Sequence, residues 1–140
     1  MSGNYLEFLK FANKFTEKSG EILRNYYFND FNIFQKTDGS HVTNVDKEIE
    51  TMFREDLKKQ YPEHGVIGEE FGGTKEKNEF VWVIDPLDGT HSFISGKPLF
   101  GTLLCCLQNE EPVIGVIDIP ILNQRWHGGK KLGVKLNNNN

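Results

Sequence analysis

Apolar residues in the first half of the chain recur at helical spacing. Three phenylalanines spaced i, i+3, i+7 predict an amphipathic helix over residues 5–27: Phe8, Phe11 and Phe15. A second helix is predicted to begin after Thr43 and to end at Tyr61-Pro62. Its apolar face is made of Ile49, Met52, Phe53 and Leu57.

The rest of the chain alternates short apolar runs with turn residues, a pattern typical of strands. The predicted strands are 33–36, 66–67, 80–84, 102–107 and 112–118, followed by a hairpin around Gly128-Gly129. The turn signals are Asn29-Asp30, Asp38-Gly39-Ser40 and Asn109-Glu110-Glu111, and residues 71–78 are predicted to form a mobile loop. Two helices followed by sequential strands predict an α+β fold, with the two N-terminal helices packed on a largely antiparallel sheet.

Length and charge limit the number of domains and the kinds of partner expected for this chain. The chain of 140 residues is long enough for one domain, predicted over residues 1–136, with a polar tail at 137–140. Its net charge of −4 is spread along the chain, and no run of lysine or arginine stands out. Nucleic acid is therefore not expected as a partner.

The two cysteines, Cys105 and Cys106, are adjacent in an apolar run. Neighbouring strand residues point to opposite faces, so we expect two small buried side chains and no disulfide between them. The N-terminus has no basic region followed by an apolar stretch, and no apolar run reaches membrane-spanning length. We expect a cytoplasmic protein with no membrane partner.

Candidate chemistry concentrates where predicted elements end. Asp85 follows the apolar residues Val83 and Ile84, and Asp88 comes three positions later. A carboxylate at the tip of a buried strand is costly unless something binds it. Two further acidic positions, Asp46 and Glu69, lie at other junctions. Such oxygen ligands suit Mg²⁺ or Ca²⁺, and no histidine or cysteine accompanies them at zinc-like spacing.

The residues after Asp85 extend this pattern. The Leu87 carbonyl is a plausible third oxygen, and Gly89 lets a bulky group approach the backbone. If Thr90 opens a short helix, its amides form an anion site beside the cations. Cations next to amides that face an anion predict a phosphate-handling site.

Each acidic position also has a structural interpretation. Asp46 would form a capping box with Thr43, and Glu69 with Glu70 would be a solvated strand end. Asp85-Pro86 would be only a strand-ending turn. His64, before a glycine, is better explained as a loop residue than as a ligand. Taken singly, none of these residues decides between the interpretations.

One rival class is excluded by spacing. Haloacid-dehalogenase-type phosphatases resemble D-x-D-G-T, in which a nucleophilic aspartate lies two residues before the second aspartate. Here Pro86 occupies that position. A covalent aspartyl-phosphate is therefore not expected.

Three motifs in this order resemble the inositol monophosphatase-like family of Mg²⁺-dependent phosphomonoesterases. They are VTNVD (42–46), GEE (68–70) and WVIDPLDGTHSF (82–93). The stretch DGTHSFISGKPLFGTL, with GVIDIP and RWHGG after it, looks most like the histidinol-phosphate phosphatase branch. The resemblance implies the N-terminal half of the family's layered fold.

The resemblance also implies a set of metal ligands. Glu69 and Asp85 would hold a first Mg²⁺ with the Leu87 carbonyl. Asp85 would bridge to a second Mg²⁺, which Asp88 also binds.

The remaining roles implied by the resemblance concern water and phosphate. Thr90 would lie against Glu69 and orient the attacking water. The backbone amides of Gly89 and Thr90 would bind the phosphate. Asp46 would hold a further metal or its water shell.

One family motif is missing. Family members resemble each other in a second half with a Trp-Asp-x-x-Ala-Gly motif, but Trp82 is followed by valine and Trp126 by histidine. We therefore expect the N-terminal part of a larger enzyme, with the family's C-terminal domain absent. The leading hypothesis is a phosphatase acting on histidinol phosphate, and the alternative substrates are inositol, sugar or nucleotide phosphates. A non-catalytic metal-binding half-domain is the rival hypothesis, with a homodimer or a complementing C-terminal half as partner.

Overall fold

The computed structural model describes residues 4–29, 31–39, 41–73 and 78–138. Its helices are α1 (Tyr5–Tyr27), α2 (Asn44–Gln60) and α3 (Thr90–Ser95), with one 3₁₀ turn at Pro120–Leu122. Its strands are β1 (Ile33–Gln35), β2 (His41–Thr43), β3 (Gly65–Gly68), β4 (Phe80–Asp88), β5 (Gly101–Gln108), β6 (Glu111–Ile119), β7 (Gln124–Gly129) and β8 (Gly133–Leu136). The predictions for Asp30, Ser40, residues 74–77 and residues 139–140 lie outside the described residues.

The main sheet has six strands in the order β3-β4-β5-β6-β7-β8. Only β3 and β4 pair in parallel within this sheet, and β1 pairs with β2 in a separate antiparallel ribbon among the described residues. The turn between β5 and β6 places Asn109 and Glu110 at positive φ, as a tight hairpin requires. The predicted α+β fold with a largely antiparallel sheet is confirmed.

Both long helices pack on one face of the main sheet. Helix α1 lies over β5, β6 and β7, whereas α2 lies over β4. The helices contribute these buried side chains: Phe8, Leu9, Ala12, Phe15, Leu23, Val45, Ile49, Phe53 and Leu57. The sheet contributes Trp82, Ile84, Leu104, Cys106, Ile114 and Val116. Burial of these apolar surfaces is the main force that holds the helices to the sheet.

An aromatic cluster closes one end of this core. The Trp82 indole is fully buried and donates from Nε1 to His64 Nδ1 at 3.0 Å. The His64 ring stacks on Tyr61 with centroids 4.7 Å apart. Burial lowers the pKa of His64, which favours the neutral ring that accepts this hydrogen bond. His64 is therefore part of the packing around Trp82 as well as a residue of the connection after α2.

The opposite face of the sheet is apolar and carries no helix in the described part of the chain. It forms an open hollow of about 620 Å³, lined in part by Val83, Leu103, Cys105, Ile117, Trp126 and Val134. Trp126 is 44% exposed and Val134 is 69% exposed. Adjacent Cys105 and Cys106 are free thiols on opposite faces, and burial raises the pKa of both.

The end of the described chain is tied to the sheet. Asn137 donates from its backbone N–H to the Arg125 carbonyl at 2.7 Å, and its side-chain Oδ1 accepts from the Arg125 N–H at 2.8 Å. None of the helices in the described ranges has the length and apolar character needed to cross a membrane.

Phe53→Ala is expected to lower the free energy of unfolding by about 3–5 kcal/mol. Phe53 is fully buried, and its ring lies against Phe15 and Trp82 with centroids 4.9 and 5.9 Å away. Urea unfolding followed by circular dichroism measures the loss. Phe28, 74% exposed, provides the control through Phe28→Ala. A loss below about 1 kcal/mol in Phe53→Ala would show that the core repacks around the cavity.

Candidate metal centre

The end of β4 carries two of the predicted ligands in an irregular segment. The strand runs past its predicted end at Ile84 to Asp88, and its register with β5 shifts between Asp85 and Asp88. Pro86 lies inside this shift and has no N–H for the ladder. Its carbonyl accepts from Thr102 Oγ1 at 3.0 Å, which fixes the segment. Asp85 is half-buried and Asp88 is exposed.

Gly89 turns the chain from β4 into α3. Its φ of +84° is a left-handed conformation, and a Cβ there would lie 2.8 Å from the Leu99 carbonyl oxygen. Both facts favour glycine. Helix α3 begins at Thr90, as predicted, and the first amides of a helix have no intrahelical acceptor.

Glu69 follows β3 and lies beside Asp85. Gly68 pairs with Ile84 in the parallel register, so the next residues along the two strands are Glu69 and Asp85. The Glu69 N–H donates to the Ile84 carbonyl at 3.2 Å. The two predicted ligands are therefore neighbours at one end of the sheet.

A lysine cation occupies this end of the sheet. Lys36 Nζ lies 3.2 Å from Glu70 Oε1 and 3.7 Å from Glu69 Oε1. Burial alone would lower the pKa of Lys36, but its hydrogen bond to Glu70 and the charges of Glu70, Glu69 and Asp46 raise it. The Glu70 side chain is 4% exposed, so a solvated strand end does not describe it, whereas Glu69 is 56% exposed.

Asp46 forms the predicted capping box at the start of α2. Its Oδ1 accepts from the Thr43 backbone N–H at 3.0 Å and from the Thr43 hydroxyl. The residue is 2% exposed. Burial raises the pKa of Asp46, while the bonds from Thr43 and the charge of Lys36 oppose the rise. The capping role is confirmed, and the role of Asp46 toward a metal stays a prediction.

Asp85 has the most perturbed carboxyl of this group. Burial is the main cause, the negative charges of Asp88, Glu69 and Asp46 add to it, and together they raise its pKa to about 6. A hydrogen bond from the Leu87 N–H opposes the rise. The carboxylates predicted from different parts of the sequence therefore converge closely enough to repel one another.

The converging carboxylates do not by themselves form a complete metal-binding site. No group of three or more histidine, cysteine, aspartate or glutamate side chains in the described residues is arranged to hold a metal ion. Lys36 Nζ lies beside Glu69 Oε1, and Asp88 is exposed. The Thr90 hydroxyl donates to the Leu87 carbonyl at 3.2 Å, which differs from the predicted contact with Glu69.

The donor atoms nevertheless fit Mg²⁺ in their chemistry. Glu69, Asp85 and Asp88 supply carboxylate oxygens, and Leu87 supplies a carbonyl oxygen. Burial is the main cause of the raised pKa of Asp85, and the negative charges of Asp88 and Glu69, which add to it, would be balanced by a bound cation. The Lys36 ammonium group beside Glu69 and Glu70 shows that the site accepts a cation.

The sequence patterns did not identify Lys36 as a residue of the candidate site. They also did not identify the pair Glu50 and Arg54 on α2. Nothing in the sequence distinguishes Lys36 from a solvated lysine near a turn. Glu50 lies four residues after Asp46, so it shares a helix face with a predicted site residue, and that spacing was a usable signal.

Comparison with known proteins identifies relatives. Residues 4–140 match the family model described as the inositol monophosphatase family. The bifunctional phosphatase IMPL2, chloroplastic, of Arabidopsis thaliana is 42% identical over 132 residues, which cover 93% of this chain and 38% of the relative. A histidinol-phosphatase of Chlorobaculum parvum is 32% identical over 92% of this chain and 50% of its own.

A solved structure shares the fold. The IMPase of Thermotoga maritima superposes with a TM-score of 0.86 at 32% identity, covering 94% of this chain and 52% of that one. The chain thus spans about half the length, or less, of the relatives it matches. The predicted family is confirmed.

In the metal-free chain, the stability contributed by Asp85 is expected to fall as pH rises between about 4 and 6, because the folded state holds a proton on Asp85 that the unfolded state releases near pH 3.8. Asp85→Asn should therefore stabilise the chelator-treated chain at pH 7.5 by roughly 1–2 kcal/mol, a value reduced for partial solvent exposure. The difference should shrink toward pH 4.

Melting temperatures of both chains across this pH range test the prediction. Asp85→Asn melting below the unmodified chain at pH 7.5 would contradict it.

Proposed function

The chain belongs to the inositol monophosphatase family, and from that premise we propose that it carries the metal site of a Mg²⁺-dependent phosphomonoesterase. The observation that supports the proposal is that Glu69, Asp85 and Asp88 meet at the turn before α3, where burial, with the negative charges of Asp88 and Glu69 added, raises the pKa of Asp85 to about 6. Repelling carboxylates beside the first amides of a helix are the parts that such a site needs.

Four residues would hold the metals. Glu69, Asp85 and the Leu87 carbonyl would bind the first Mg²⁺, and Asp85 with Asp88 would bind the second. Bound Mg²⁺ supplies activation of water and screening of phosphate charge. Binding requires Asp85 in its charged form, so the proton that it holds below about pH 6 competes with the metal.

The phosphate group would lie at the turn. The backbone amides of Gly89 and Thr90 would bind a phosphate oxygen at the left-handed turn that Gly89 makes possible. The Thr90 hydroxyl would turn from the Leu87 carbonyl, its partner here, toward Glu69, and in that position would orient the attacking water. Asp46 would hold a further metal or its water shell from the start of α2.

For the substrate, we propose histidinol phosphate. The stretch DGTHSFISGKPLFGTL resembles the histidinol-phosphate phosphatase branch, and a histidinol-phosphatase is among the relatives. Inositol, sugar and nucleotide phosphates are the alternatives, since the Thermotoga maritima neighbour carries the name IMPase.

A non-catalytic metal-binding half-domain is the second candidate. The apolar sheet face beside Glu69 and Asp85 favours it, because a site next to an open apolar hollow has little to exclude water or shape an alcohol pocket. In that case activity would require a homodimer or a complementing C-terminal half.

Phosphate release from histidinol phosphate and from inositol phosphate should depend on Mg²⁺, stop with chelator, and fall by at least about 100-fold in Asp88→Ala. The reason is that this variant removes a carboxylate oxygen from the metal site. A colorimetric phosphate assay on the 140-residue chain makes the measurement. Glu111→Gln is the matched control, since Glu111 is an exposed carboxylate at the opposite end of the sheet.

The outcomes separate the candidates. Release that Asp88→Ala abolishes supports the enzyme, and the faster substrate identifies the branch. Absence of release while Mg²⁺ still raises the melting temperature supports the half-domain. Absence of both effects would contradict the metal site itself.

A further inference from the structure

We propose that Glu50 is a positioning residue that holds the Glu69–Glu70 turn in place for metal binding. Glu50 lies on α2 one turn after Asp46, and it is fully buried. A buried carboxylate needs several donors, and Glu50 finds them in the turn after β3. The inference rests on the proposed function, because it concerns the same metal site.

The contacts of Glu50 are directed at backbone atoms of that turn. Its Oε1 accepts from the Glu70 N–H at 2.7 Å, and its Oε2 accepts from the Phe71 N–H at 2.9 Å. These distances are typical of strong hydrogen bonds to a charged acceptor. Two successive amides are thereby fixed to a helix of the core.

Arg54 completes the arrangement from the next turn of α2. Its Nε donates to Glu50 Oε2 at 3.0 Å, and its Nη2 donates to the Gly72 carbonyl. Gly72 closes the turn by exchanging backbone hydrogen bonds with Gly68. The Glu50–Arg54 pair therefore contacts both the middle and the end of the turn.

The glycine of the G-E-E motif is explained by the same carboxylate. A Cβ at Gly68 would lie 2.1 Å from Glu50 Cδ, so no side chain fits there while Glu50 keeps its position. With Glu70 and Phe71 held by Glu50, and the Glu69 N–H held by Ile84, the Glu69 backbone is fixed on both sides. Glu50 would thus set where the Glu69 side chain starts without touching the metal.

Glu50→Gln tests the role, because an amide keeps the shape but replaces one acceptor by a donor. Hydrogen exchange of the Glu70 and Phe71 amides, measured by NMR without metal, should become about 10-fold or more faster. The Val83 amide in β4 should keep its rate. In the same samples, affinity for Mn²⁺ measured by calorimetry should fall about 10- to 100-fold.

Two further variants keep the test decisive. Arg54→Gln leaves intact both hydrogen bonds that Glu50 accepts from the backbone. It should therefore change the exchange rates and the Mn²⁺ affinity in the same direction but by less. This variant provides the test if Glu50→Gln does not fold. Glu55→Gln, an exposed carboxylate on the same helix, should change neither quantity. Unchanged exchange at Glu70 and Phe71, or faster exchange throughout the chain, would overturn the positioning role. Faster exchange at these two amides with unchanged Mn²⁺ affinity would also overturn it. If the unmodified chain binds no Mn²⁺, the proposed function fails, and the exchange rates then decide only whether Glu50 holds the turn.

Discussion

The apolar layer between the two long helices and one face of the main sheet is the interaction on which the rest of the structure depends. This layer holds Asp85 and Asp88, both on β4, beside Glu69 after β3 at one end of the sheet, where burial and then the neighbouring negative charges raise the pKa of Asp85. Such an arrangement persists only if other contacts hold its elements together. Those contacts are the apolar layer between the helices and the sheet and the hydrogen bonds that Glu50 accepts from the turn after β3.

The elements themselves were largely predictable from local patterns. The spacing of phenylalanines predicted α1 over the range that it occupies, and Thr43 with Asp46 marked the start of α2 because a capping box is a local feature. The end of β4 was misplaced at Ile84, since a proline usually ends a strand, whereas pairing of Asp88 with Gly101 continues the ladder past it. Local sequence patterns do not locate the end of a strand when that end is set by pairing with another strand.

The residues of the candidate site also fall into those that a local pattern identifies and those that it does not. Asp85, Asp88 and Gly89 belong to one contiguous motif, and the sequence was enough to single them out. Lys36 and Glu50 act through contacts that span 34 and 20 residues along the chain. The spacing from Asp46 could place Glu50 on the helix face toward the site, but no local pattern identifies the partner of either residue. Long-range hydrogen bonds are visible only once the fold places their partners together.

The two tryptophans lie on opposite faces of the same sheet. Trp82 is fully buried in the core, where it donates a hydrogen bond to His64. Trp126 is 44% exposed on the apolar face that no described helix covers. Indole fluorescence shifts to the blue as water is removed from around the ring. The emission of Trp126 is therefore an intrinsic optical signal for whatever comes to lie on that face, while Trp82 reports separately on whether the core remains intact.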